Sequence, residues 1–71
     1  MTEEAIKNKS KAQREWLAGN SNTPLWILDA LKKDTEYYVR DAVTNNPKWI
    51  RLKELGTLDQ AIAISKYLGI L

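Results

Sequence analysis

Three pairs of carboxylates lie close enough along this chain to raise the question of acid–base chemistry: Glu3/Glu4, Glu36/Asp41 and Glu54/Asp59. General acid–base work needs such a group tuned towards neutral pH beside a nucleophile, a second base or a substrate cradle. None of the three pairs has that company. The 71 residues include no histidine and no cysteine. Their absence removes the commonest general base and metal ligand, together with thiolate nucleophiles, iron–sulfur ligation and disulfides. The chain is therefore read as non-enzymatic, with no catalytic residue, no cofactor and no metal site expected.

What remains is recognition chemistry. Lys48, Arg51 and Lys53, with Arg40 close by in sequence, give the C-terminal half a positive bias that could meet phosphate or an acidic protein surface. A solvated helix face explains the same residues. Eleven basic and nine acidic side chains leave a net charge of only +2. That is a small footprint for counterion release, so nucleic acid ranks behind protein as a partner. Tyr37, beside Arg40 and Lys33, has the chemistry of an interface hot spot, although a solvated tyrosine has the same pattern. Asp34 and Arg40 flank a short helix, where an acid and a base tie a helix start to its neighbour. Trp16, Trp26 and Trp49 read as packing residues, and the asparagines at 20, 22, 45 and 46 as turn and cap residues.

Short helices must position these groups. The first, from about Thr2 to Ala18, has its acids early and its bases late, as the helix dipole favours, and its apolar grip is expected at Trp16-Leu17. Gly19-Asn20 is expected to stop it in left-handed geometry. Thr23 then caps a second helix that begins at Pro24 and buries Leu25, Ile27, Leu28, Ala30 and Leu31. Asp34 or Thr35 caps a third, carried by Tyr38, Val39, Ala42 and Val43. Asn46-Pro47 opens a fourth, in which Trp49, Ile50, Leu52 and Leu55 group together before Gly56. Thr57-x-x-Gln60 has the form of a capping box for a last helix with Leu58, Ala61, Ile62, Ser65 and Leu68 on its core side. Ile64, Tyr67 and Leu71 fall elsewhere on that helix. With few charges it is either well covered or an apolar surface, so Ile64, Tyr67, Leu68 and Leu71 are the candidate interface for a homodimer.

Arg14-Glu15-Trp16-Leu17-Ala18-Gly19-Asn20-Ser21 recurs in outline 26 residues later as Arg40-Asp41-Ala42-Val43-Thr44-Asn45-Asn46-Pro47. Spacings of 20–50 residues are those of stacked helical units. Across Asn20–Pro47, the set Asn22, Thr23, Pro24, Leu28, Leu31, Asp34, Val39, Arg40, Ala42, Val43, Asn46 and Pro47 closely resembles the leucine-rich repeat variant, a bacterial repeat of alternating α- and 3₁₀-like helices. The likeness covers residues 13–56. It implies a right-handed α-superhelix used as a binding scaffold, akin to HEAT-type repeats. Family members can carry a cysteine-bound iron–sulfur cluster, which this cysteine-free chain cannot bind in that way.

The expected fold is thus all-α, a short right-handed superhelix of about five helices in a single domain. Residues 1–19 form an N-terminal capping helix, 20–47 a full repeat, 48–56 a partial repeat and 57–71 a C-terminal capping helix. Stretches of 18 apolar residues and a secretory leader are both missing from the sequence, so a cytoplasmic location off the membrane is expected. Residues 57–70 also look like the first helix and turn of a helix-turn-helix, but no recognition helix follows to enter a groove. The functional expectation is a small scaffold or adaptor for another protein, with a nucleic-acid-associated regulator as the alternative.

Overall fold

The computed structural model describes residues 3–69, and every regular element in them is helical. Six helices follow one another: α1 (Glu3–Lys7), α2 (Lys11–Gly19), α3 (Leu25–Leu31), α4 (Tyr37–Thr44), α5 (Pro47–Glu54) and α6 (Leu58–Leu68). The radius of gyration, 11.1 Å, is what a chain of this length reaches when packed around one core.

The expected single first helix is two. Ser10 interrupts it as an N-cap with extended backbone: its hydroxyl accepts the Gln13 N–H, and the Gln13 side chain accepts the Ser10 N–H. This capping box starts α2 afresh. Arg14 Nη1 donates to the Lys9 carbonyl at 2.7 Å, satisfying an acceptor that the break leaves open. The short α1 can then turn back and bury Ile6, which is 2% exposed. The apolar grip of this region is accordingly Ile6, Leu17 and Ala18 rather than Trp16, which is 66% exposed.

Helix α3 is the centre of the molecule. Leu25, Ile27, Leu28 and Leu31 are all buried, as the apolar spacing requires, and α1, α2, α4 and α6 pack around them. Its start differs from the expected cap. Pro24, not Thr23, is the N-cap residue, and the Thr23 hydroxyl turns back to donate to the Leu17 carbonyl at 2.7 Å. The Gly19-Asn20 stop also differs: Asn20 is extended rather than left-handed, because its N–H closes the last turn on Leu17.

Helices α2 and α4 lie side by side, and α4 contributes the buried Val39 and Val43. They run the same way. Near their starts, Arg14 and Arg40 both reach Asp34; near their ends, Asn46 donates to the Ala18 carbonyl. Helix α3, which connects them, runs back against both. The cap of α4 is Glu36, one residue beyond the expected position, while Asp34 Oδ1 accepts the Glu36 N–H at 2.9 Å and shapes the turn.

At α5 the expected start is observed: Asn46 Oδ1 accepts the Lys48 N–H at 2.9 Å, and Pro47 occupies the first turn. The helix ends at a left-handed Gly56 (φ 73°), with Gly56 N–H bonded to Lys53 and Thr57 N–H to Leu52. These paired bonds consume the last carbonyls of α5. They also explain why the expected Thr57–Gln60 capping box does not form. The Thr57 N–H is already committed to Leu52, and its side chain makes no capping bond.

Candidate functional site

The charged candidates are largely occupied. Asp34 is a hub: Oδ2 accepts Arg14 Nε at 2.7 Å, Oδ1 accepts Arg14 Nη2 at 3.4 Å, and its main-chain carbonyl accepts Arg40 Nη1. The paired side chains are only 12% and 8% exposed. Arg40 is therefore spent on orienting the α3–α4 loop. Lys48, read from sequence as part of a basic surface, extends its ammonium to the Thr23 carbonyl in the α2–α3 loop. Burial of its side chain lowers its pKa from the ordinary lysine value.

Thr23 and Asp34 bracket α3 at its two ends, and the seven helical residues between them rise about 10 Å. Arg40 and Lys48 are thus pinned to opposite ends of the core helix, and the four bases that cluster in sequence do not converge as one patch. Arg51 and Lys53 remain exposed on α5. Tyr37 is 73% exposed and meets the half-buried Tyr38 edge to face, with ring centroids 5.7 Å apart.

The apolar candidates behave differently. Helix α6 turns Leu58, Ala61, Ile62 and Ser65 inwards. The helical period then places Ile64, Tyr67 and Leu68 together on an adjoining strip. They are 47%, 88% and 56% exposed. Leu68 also fits the inward stripe by spacing, but the covered stripe stops at Ser65. On the neighbouring α5, Ile50 (37%) and Leu55 (66%) are exposed as well, so the expected grouping of that helix reduces to Trp49 and Leu52. Leu71, the fourth candidate of the dimer interface, lies outside the described residues.

The sequence placed Ser65 on the core side of α6, as observed, but not the bonds by which it and Lys66 hold that helix in place. Ser65 is fully buried, and its hydroxyl accepts the Trp26 main-chain N–H at 3.1 Å. That N–H belongs to the first turn of α3, where no intrahelical acceptor exists. Lys66 pairs with Asp29 at 2.8 Å across the same contact. A lone serine inside an apolar helical stripe was the available sign. Asn46 likewise does more than cap: its amide donates to Ala18 (2.8 Å) and to Asn20 (3.0 Å) while its oxygen caps α5.

Comparisons with protein-family models, with curated proteins and with solved structures find no match to this chain. Among the described residues, no helix is long and apolar enough to cross a membrane.

Proposed function

We propose that the chain is a small non-enzymatic helical scaffold that engages another protein through the apolar surface of α5 and α6. One observation carries this reading. Leu55, Ile64, Tyr67 and Leu68 are each about half exposed or more, although nine other apolar residues among those described are buried. Large apolar groups left exposed cost solubility unless a partner covers them. The surface also has the chemistry of an interface: an aromatic and aliphatic centre with Arg51 and Lys53 nearby on α5.

The repeat interpretation belongs to the same proposal. Its support is that parallel α2 and α4 are joined through Asn46 and Asn20, 26 residues apart, the offset at which the sequence recurs. In that frame α1 and α6 act as end pieces, and the protein works in the cytoplasm. A second copy of the chain is the simplest partner to test. Sedimentation of the wild type over a wide concentration range is expected to show reversible association that Ile64→Asp abolishes. A wild type that stays monomeric throughout rejects the homodimer and leaves a different protein as the partner. The nucleic-acid alternative is weakened by the commitment of Arg40 and Lys48 to carbonyls. Absence of DNA or RNA binding at low salt rejects it.

A further inference from the structure

Trp16 is 66% exposed on α2, although tryptophan is among the side chains with the most apolar area to bury. Helical spacing sets it in line with Ala12, one turn before, and Gly19, one turn after, with Glu15 at the edge of that stripe. These four residues and Asn20 line an open groove of about 500 Å³. Ala12, Glu15, Trp16 and Gly19 are all exposed, and a Cβ added at Gly19 would meet nothing within 4 Å. Among the described residues lining the groove, Glu15 is the one charged group, and no hydrogen bond or ion pair within the described chain engages its carboxylate. The two bases within a turn of it are committed elsewhere: Lys11 pairs with Glu36 at 3.2 Å and Arg14 with Asp34 at 2.7 Å. An exposed indole and an unengaged carboxylate therefore share one accessible groove.

We propose that this groove docks an arginine side chain presented by another polypeptide. A guanidinium is planar and cationic, so it stacks on the Trp16 ring and meets the Glu15 carboxylate through paired N–H donors. Charge complementarity selects a cation, and the ring selects a flat one. A lysine ammonium supplies the charge without the plane, and a neutral side chain of the same shape lacks the charge. The small side chains of Ala12 and Gly19 leave room for the incoming main chain. The site uses no residue of α5 or α6 and stands or falls independently of that surface.

Chemical-shift titrations of the intact chain at neutral pH and low salt test the assignment, with a terminally blocked glycine–arginine–glycine peptide and its lysine and citrulline counterparts as probes. Trp16→Leu identifies which of the three tryptophan indole N–H signals belongs to Trp16. The arginine peptide is expected to move that signal and the Gly19 amide, leaving the Trp26 and Trp49 indoles in place. The lysine peptide should bind about threefold more weakly, and the citrulline peptide, which keeps the shape and loses the charge, about tenfold. Glu15→Gln, at an exposed position, should weaken the arginine peptide by about threefold and leave the citrulline peptide unchanged. Equal binding of the arginine and citrulline peptides overturns the proposal. So do shifts at Trp26 or Trp49 in place of Trp16, no shift at about 20 mM arginine peptide, or an arginine-peptide affinity unaltered in Glu15→Gln.

Discussion

The side-chain amide of Asn46 donates to the main-chain carbonyl of Asn20, 26 residues earlier, at 3.0 Å. The same amide reaches Ala18, and the side-chain oxygen caps α5, so one fully buried residue closes the end of α2 and opens α5. Removing it leaves a buried carbonyl, a part-buried one and a helix start without partners. Asn46→Ala is expected to cost roughly 3 kcal/mol, from a lost cap and unsatisfied acceptors together. Urea denaturation followed by tryptophan fluorescence should show the midpoint falling at constant slope. The exposed neighbour gives the control: Asn45→Ala should stay within about 0.5 kcal/mol of wild type.

Arg14 and Asp34 form the pair that two helices and a loop depend on. With both side chains largely withdrawn from water, a double-mutant cycle (Arg14→Ala, Asp34→Ala) is expected to give a coupling of about 2 kcal/mol. The more exposed Lys11–Glu36 pair, at 3.2 Å, should couple by less than about 0.5 kcal/mol. Equal couplings in the two cycles would contradict the distinction drawn from burial.

Ser65 holds α6 to the first turn of α3. Ser65→Ala is expected to destabilise by about 1–2 kcal/mol, because the Trp26 N–H loses its acceptor in a buried contact. Ser65→Val should cost more, since it adds bulk where no exposed surface remains. Hydrogen exchange at the Trp26 amide supplies the local readout, with protection lost in both variants.

Lys48 gives a pH dependence of definite sign. Burial lowers its pKa in the folded protein below the ordinary 10.5. Between the lowered value and 10.5 the unfolded chain holds the proton more tightly, so unfolding takes up protons and stability rises with pH. At neutral pH the charged, partly desolvated ammonium is held at a cost. The stability of the wild type relative to Lys48→Met should therefore increase as pH climbs through that interval. Denaturation midpoints measured at several alkaline pH values check it, and a gap that is flat or shrinking contradicts the burial argument.

Ser10 is where the fold departs from the single first helix that the sequence suggests. From sequence, the charge gradient over Thr2–Ala18 argues for one continuous helix, and that argument is local. The break depends on a capping box that also reads locally, Ser10-x-x-Gln13, but it is decided by a distant gain: Ile6 reaches α3 only if the chain turns. The core of α3 was legible because its apolar residues repeat at helical spacing and need no knowledge of their neighbours. Trp16 was not, because whether a helix stripe is covered depends on which helix arrives beside it. The charged candidates failed for a related reason. Arg40 and Lys48 are close in sequence, yet each bonds to a carbonyl at a different end of α3, and sequence spacing carries no information about that. The exposed strip of Ile64 and Tyr67 was legible in outline, since a helix with so few charges cannot be fully solvated.

The proposed protein-binding surface on α5 and α6 is tested most directly by capture with matched variants. The immobilised wild type, Ile64→Asp/Tyr67→Asp and Arg51→Glu/Lys53→Glu are each exposed to cell extract, and the retained proteins are identified by mass spectrometry. Both substitution sets lie at exposed positions, so the fold should survive, and circular dichroism checks that it does. The expected result is a partner, or the chain itself, held by the wild type, weakened by the charge reversals and lost with the apolar pair. The same proteins retained by the wild type and by Ile64→Asp/Tyr67→Asp would contradict the account.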